Sequence, residues 1–293
     1  MKILLTGRTG QVGYELERSL QGLGDIVALD RAQLDLSDLD GVRETVRRVR
    51  PQLIVNPAAY TAVDRGEDEA ELAFRINGEA PGVMAEEASR LGAAMIHYST
   101  DYVFDGRKVG AYVEGDPTCP INVYGRSKLA GEQAIQASGI PHLIFRTSWV
   151  YGMRGRNFLL TVRRLAEERD ELRIVADQYG APTWCRTIAE ATAHAVAFLG
   201  AGNRLLGMDQ DLWREKSGLY HLAAQGQTTW HGFAQTIVAH WSINRKPVVT
   251  PITTGEYPLP ARRPANSVLS CERFVNTFCG LPEWRNALRL CLE

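Results

Sequence analysis

"KILLTGRTGQVG", residues 2–13, decides how the rest of the chain is read. The apolar run reads as a buried strand. The segment from Gln11 to Leu23 reads as a helix with Val12, Leu16 and Leu20 on one face. Between them stand Gly7, Gly10 and Gly13, spaced Gly-x-x-Gly-x-x-Gly. A glycine turn joining a strand to a helix suits a dinucleotide. The turn is tight, the bare backbone admits a pyrophosphate, and helix N–H groups point at its charge. The commonest fingerprint is Gly-x-Gly-x-x-Gly, so the bland alternative is one turn glycine plus one helix-packing glycine. Asp30 ends the next strand, "DIVALD", twenty residues beyond Gly10. A carboxylate there accepts hydrogen bonds from the adenine ribose and favours NAD, whereas Arg31 beside it suits the extra phosphate of NADP. NADH and NADPH both stay open as cofactors.

Outward from this unit, Ser37 offers an N-cap to a helix carrying Val42, Val46 and Val49, stopped by Pro51. "QLIVNP", "AAMIHYST" and "HLIFRTS" read as further strands, with helical stretches around 67–91 and 123–137 between them. Continuous apolar strands alternating with helices predict an α/β fold, a Rossmann-type doubly wound parallel sheet. We expect residues 1–150 to form the dinucleotide-binding domain. Residues 151–293 then form a smaller C-terminal α/β substrate-binding region, with segments near 171–200 returning to the first sheet. A polar stretch at 203–217, containing "LLGMDQDLW", reads as a short added helix, a partner-binding loop or a solvated insertion.

Composition excludes several classes. Thirty-three basic residues offset 34 acidic ones, so a nucleic-acid partner is not expected. Five dispersed cysteines without a Cys-x-x-Cys pair argue against a disulfide framework or a zinc site. No apolar run reaches the ~20 residues of a membrane helix, and "MKILLTG" enters a strand directly. A cytoplasmic protein without a membrane partner is expected.

The sharpest chemical signal is "NVYGRSKLAGE", residues 122–132. Tyr124 and Lys128 stand four apart in a chain with five lysines among its 33 basic residues. Positions i and i+4 share one helix face, so both side chains can enter one cleft. A phenol of pKa ~10 is a poor acid at neutral pH, and bringing it to ~7 requires about 4 kcal/mol. A nearby ammonium acts in that direction. The alternative is a surface Tyr–Lys pair. The end of "MIHYSTDYVFDG" supplies Ser99, Thr100 and Asp101 where ligands of such sheets bind, so a hydroxyl there can hold the oxygen that the tyrosine protonates. His97 and Tyr98 read as strand packing.

These motifs, in this order, resemble the extended short-chain dehydrogenase/reductases, and more narrowly the dTDP-4-dehydrorhamnose reductase family. "FRTSWVYG", "DQYGAPT" and "RPANS" extend the resemblance over nearly the whole chain. It implies NAD(P)H-dependent reduction of the 4-keto group of dTDP-4-dehydro-6-deoxy-L-mannose to dTDP-L-rhamnose. Tyr124 is then the proton donor, Lys128 lowers its pKa and holds the nicotinamide ribose, and Thr100 bonds the substrate oxygen. Gly10, Gln11 and Val12 cradle the pyrophosphate, Asp30, Asp35 and Leu36 surround the adenosine, and Ala59, Tyr60 and Thr61 line the cofactor. Tyr98 also falls at a family cofactor position, against its packing reading. Asp101 and Trp149 contact substrate; Arg263 fixes the nucleotide phosphates or forms a structural salt bridge.

Some family members are dimers bridged by magnesium through acidic side chains. Here Glu15 is matched by Arg186, so no metal site is expected; the chain is a monomer or homodimer. Tyr102 follows Thr-Asp where sugar-nucleotide dehydratases carry an acid, which argues for simple reduction. The remaining alternatives are a reductase of another nucleotide-linked 4-keto sugar and a non-catalytic regulatory homologue that binds NADP.

Overall fold

The structure, a computed structural model, describes residues 1–200, 210–241 and 246–293. The elements are β1 (Lys2–Leu5), α1 (Gln11–Ser19), β2 (Asp25–Ala28), α2 (Leu39–Val49), β3 (Leu53–Asn56), α3 (Ala70–Phe74), α4 (Ala80–Leu91), β4 (Ala94–Thr100), α5 (Val123–Ala137) and β5 (His142–Thr147). Beyond them come β6 (Val150–Tyr151), α6 (Phe158–Glu168), β7 (Glu171–Val175), β8 (Tyr179–Gly180), β9 (Thr183–Trp184), α7 (Cys185–Gly200) and α8 (Gln210–Glu215). The chain closes with β10 (Gly218–His221), β11 (Thr228–Thr229), α9 (Trp230–His240), β12 (Val248–Ile252), α10 (Glu272–Thr277) and α11 (Trp284–Leu292).

Six strands form one parallel sheet in the order β10-β5-β4-β3-β1-β2. β1 is followed by β2 on one side and β3 on the other, so the chain reverses direction there. The crevice beyond the carboxyl ends of β1 and β3 is the place where such sheets bind ligands. Alternation along each strand sorts the core into two layers. Ile3, Leu5, Val55, Ile96 and Tyr98 join Leu16, Leu20 and Ile188 on one face. Leu4, Ile54, Met95 and Ile144 join Val42, Val46, Met84 and Ile135 on the other. A third apolar cluster, including Tyr151, Leu159, Phe233 and Trp284, sits among the later elements.

Several local readings differ from the sequence expectation. α1 stops at Ser19, short of Leu23, and the chain turns through Gly22 at φ +83°. Asp38 caps α2 by accepting from Gly41 N, while Ser37 is held by the Asp35 carboxylate. The stretch around 67–91 is not one helix. A 3-10 turn (Arg65–Glu67), α3, a π turn (Arg75–Glu79) and α4 follow one another. Pro81 has no N–H for the carbonyl of Asn77 four residues back, which favours the wider turn there. β7 pairs with β12 in a separate two-stranded sheet, not with the first sheet, whereas α7 packs on α1 and β10 supplies the sixth strand. Of the 203–217 insertion, residues 203–209 lie outside the described residues. The remainder contains α8, whose Trp213 is buried in the core, so this part is a packed helix and not a solvated loop. Among the described residues no helix is long and apolar enough to cross a membrane.

Candidate active site

The turn after β1 requires Gly7 and Gly13. Gly7 has φ +59°, and a Cβ there would stand 2.9 Å from that of Ala58. A Cβ on Gly13 would come within 2.1 Å of the Gly7 carbonyl oxygen. α1 begins on Gly10 without a side-chain cap, whereas α2, α5, α6 and α9 are capped by Asp38, Asn122, Asn157 and Thr229. The first-turn N–H groups of α1 are thus left for an outside acceptor. A bare backbone and an uncapped helix start fit a pyrophosphate. Gln11 lies at this start, and its side-chain oxygen accepts from Asn157 Nδ2 at 2.7 Å. Val12 packs against the core.

On the adenosine side, Asp30 Oδ1 accepts from the backbone N–H groups of Ala32 and Gln33. Asp35 is held below the usual carboxylate range, first by Ser37 and then by the exposed Arg31, 3.4 Å away. Leu36 is buried in the core. Ala59, Tyr60 and Thr61 follow β3, and Asn77 of the π turn anchors them. Its Oδ1 accepts from Tyr60 N at 2.8 Å, and its Nδ2 donates to Tyr60 O and Ser127 Oγ. The sequence reading did not single out Asn77; its signal, an Asn four residues before a proline inside a helical stretch, is visible only in retrospect.

Tyr124 sits in the first turn of α5, half-buried. That turn is clamped against the segment after β4. A Cβ on Gly125 would lie 2.1 Å from Tyr102 O, and the Tyr124 ring meets the edge of Tyr102 with centroids 5.8 Å apart. Thr100, at the end of β4, faces the phenol and eases its ionisation. Burial and the nearby Asp101 outweigh this and push Tyr124 up to about 12. Thr100 Oγ1 donates to Asp101 Oδ1 at 2.9 Å. Asp101 is 2 % exposed, and burial raises it to about 7. Thr100, Asp101 and Tyr124 therefore meet at the carboxyl end of β4, as the sequence led us to expect.

Lys128, one turn further along α5, reaches inward. It is 1 % exposed, and its Nζ lies 3.1 Å from His97 Nε2. Burial lowers it to about 7 against the favourable Glu132 carboxylate. Glu132 is itself gripped by Arg146 in a buried two-point ion pair, at 2.9 and 2.6 Å.

Trp149 adopts the strained φ of +46° and stacks on Trp230, centroids 3.6 Å apart and planes 7° from parallel. Trp230 was not anticipated, although an exposed-looking tryptophan opening a helix was a readable hint. Arg263 is engaged by Asp64 in a two-point pair at 2.6 and 2.8 Å, the salt-bridge alternative. The Tyr98 hydroxyl meets Thr192 Oγ1 of α7 at 2.8 Å in the core, as the packing reading requires; a cofactor contact would have to come from its backbone. Glu15 Oε2 accepts from Arg186 Nε at 3.2 Å.

A family model described as "RmlD substrate binding domain" matches residues 1–293. A dTDP-4-dehydrorhamnose reductase of Burkholderia thailandensis is 50% identical, covering 100% of this chain and 98% of the relative. One of Shigella flexneri is 45% identical, covering 100% and 97%. Among solved structures, a dTDP-4-dehydrorhamnose reductase of Bacillus anthracis in complex with NADP is similar with a TM-score of 0.89 and 34% identity, covering 99% of this chain and 98% of that one. With a model matched end to end and such relatives along its whole length, the chain belongs to the RmlD substrate-binding-domain family, whose relatives cited here are named dTDP-4-dehydrorhamnose reductases.

Proposed function

We propose that this protein reduces the 4-keto group of dTDP-4-dehydro-6-deoxy-L-mannose to give dTDP-L-rhamnose, with NADPH or NADH as cofactor. The observation that carries the reading is the meeting of Thr100, Asp101 and Tyr124 beyond β4, beside a sheet crevice with an uncapped, glycine-bared helix start. The relatives' names and the NADP complex of the Bacillus anthracis protein support it.

Bound reduced nicotinamide would supply the hydride. Gly7, Gly10, Gln11, Val12 and Gly13 would hold its pyrophosphate. Asp30, Asp35 and Leu36 would flank the adenosine, and Ala59, Tyr60 and Thr61 the next part of the cofactor. Tyr124 keeps its proton at neutral pH, since burial holds it near 12. It is therefore loaded as an acid and donates to the substrate oxygen as negative charge develops there. Thr100, whose one hydroxyl proton goes to Asp101 Oδ1 in the free protein, would turn it to that oxygen as a second hydrogen bond. Lys128 stabilises the resulting phenolate when charged. Asp101 and the Trp149 ring orient the deoxysugar. Arg263 acts through Asp64 and Tyr102 by fixing the loop that carries the site.

The test is product identity. Incubation with reduced nicotinamide and the keto sugar nucleotide should give a single new C4–H, with the L-manno configuration in proton NMR. The opposite C4 configuration, or loss of water from the sugar, would contradict the assignment.

A further inference from the structure

On the face of the sheet covered by α5, Leu4, Ile54 and Met95 form one apolar layer across β1, β3 and β4. Two residues further along each strand, on that same face, the layer turns polar: Thr6, Asn56 and His97. Each is at most 1 % exposed. Buried polar groups cost free energy unless they pair, and these pair with one another. Thr6 Oγ1 lies 2.6 Å from Asn56 Oδ1, Asn56 Nδ2 lies 3.2 Å from His97 Nδ1, and His97 Nε2 lies 3.1 Å from Lys128 Nζ. At its far end the row reaches Ala58 N through Thr6 Oγ1, beside Gly7. It therefore joins the phosphate turn to the lysine beneath the site.

Hydrogen-bond accounting gives the row two self-consistent forms. With Asn56 Nδ2 donating to Nδ1, neutral His97 carries its proton on Nε2 and offers it to Lys128, which must accept as an amine. With the Asn56 amide turned over, its oxygen accepts from an Nδ1 proton, its Nδ2 donates to Thr6 Oγ1, whose own proton turns away from Asn56, and Nε2 accepts from the Lys128 ammonium. Passing from the first form to the second takes up one proton from solvent. The charged groups nearby are Glu132, one turn along α5, which favours the ammonium, and Arg146 of β5, already bound to Glu132. Asp101 bears on Tyr124.

We propose that His97 is a positioning residue for the reduction: it fixes Lys128 Nζ and, with Asn56 and Thr6, sets whether that lysine is charged. The inference rests on the reductase reading, in which charged Lys128 stabilises the Tyr124 phenolate.

The test is an NMR titration of lysine Nζ in the full-length protein. Five lysines make the spectrum tractable, and Lys128→Met identifies the signal. His97→Phe removes the acceptor and should lower the Lys128 midpoint by about one pH unit or more. Asn56→Asp accepts only, fixes the proton on Nδ1, and should raise it by a similar amount. That rise should vanish in a His97→Leu background, because leucine has no polar atom to relay it. An equal rise in both backgrounds would mean a through-space field and would overturn the proposal. So would a His97→Phe midpoint within about 0.3 of wild type, against the full unit expected. Should His97→Phe fail to fold, the Asn56→Asp comparison decides alone. The alkaline limb of kcat should move with the Lys128 midpoint, while KM for the sugar changes less than about 3-fold. A protein that reduces nothing removes the reductase reading, yet leaves the titration to judge the row.

Discussion

Trp149 and Trp230 lie face to face, centroids 3.6 Å apart and planes 7° from parallel, and Phe158 tilts against Trp230. A tryptophan held at φ +46° stays there only if its surroundings hold it, and the stack on Trp230 is one such hold. Trp230→Ala should loosen Trp149 and raise KM for the sugar nucleotide about 5–30-fold, more than it lowers kcat. Steady-state kinetics with saturating cofactor checks this; unchanged KM would separate the stack from substrate binding.

Gly125 fixes the distance between α5 and the end of β4. A methyl there would lie 2.1 Å from Tyr102 O. Gly125→Ala should cost about 1–3 kcal/mol of stability, as overpacking does. It should also lower kcat, because Tyr124 and Thr100 move apart. Urea unfolding and turnover read the two effects separately.

Asp101 makes stability depend on pH. Its folded value, about 7, lies above the ordinary 3.8. The folded state therefore binds the proton more tightly, and the contribution is full below pH ~4 and lost as pH rises through ~7. Above that, wild type carries a penalty on the order of 4 kcal/mol, from a difference of about three pH units. Asp101→Asn should be more stable than wild type at pH 8 and lose most of that advantage at pH 5. Melting curves at the two pH values decide it; an advantage equal at both would contradict the assignment.

Glu15 is paired with Arg186, whose guanidinium also lies 4.8 Å from the Trp184 ring. Magnesium or its chelation should leave melting and sedimentation of wild type unchanged. Arg186→Glu places two carboxylates together and should make the melting temperature rise with added magnesium. A magnesium response in wild type would sink this reading.

The parts of this molecule written in local chemistry were legible in the sequence. Gly7 and Gly13 are demanded by their own turn, and the apolar strands announce a parallel sheet. Thr100 and Tyr124 sit in short motifs that keep their meaning out of context. What escaped depends on contacts between distant segments. Asn77 acts because Pro81 widens a helix turn towards α5. His97 is a strand residue like its neighbours until Asn56 and Lys128 are brought to its two nitrogens. Trp230 is more than eighty residues from Trp149. Tyr124 and Lys128 do share α5 at the expected spacing, but spacing did not show that Lys128 would reach inward to His97. β10 is short and follows a polar stretch, so nothing local marked it as the sixth strand of the sheet.

The most direct test of the account compares wild type with Tyr124→Phe in one assay. Purified protein is mixed with dTDP-4-dehydro-6-deoxy-L-mannose and NADPH, or NADH, while absorbance of the reduced nicotinamide is followed. Cofactor binding is measured on both proteins by fluorescence. Wild type should consume cofactor, and Tyr124→Phe should bind it comparably yet turn over about 100- to 10,000-fold more slowly. A phenylalanine variant that keeps its rate, or a wild type that binds cofactor and consumes none, would contradict it.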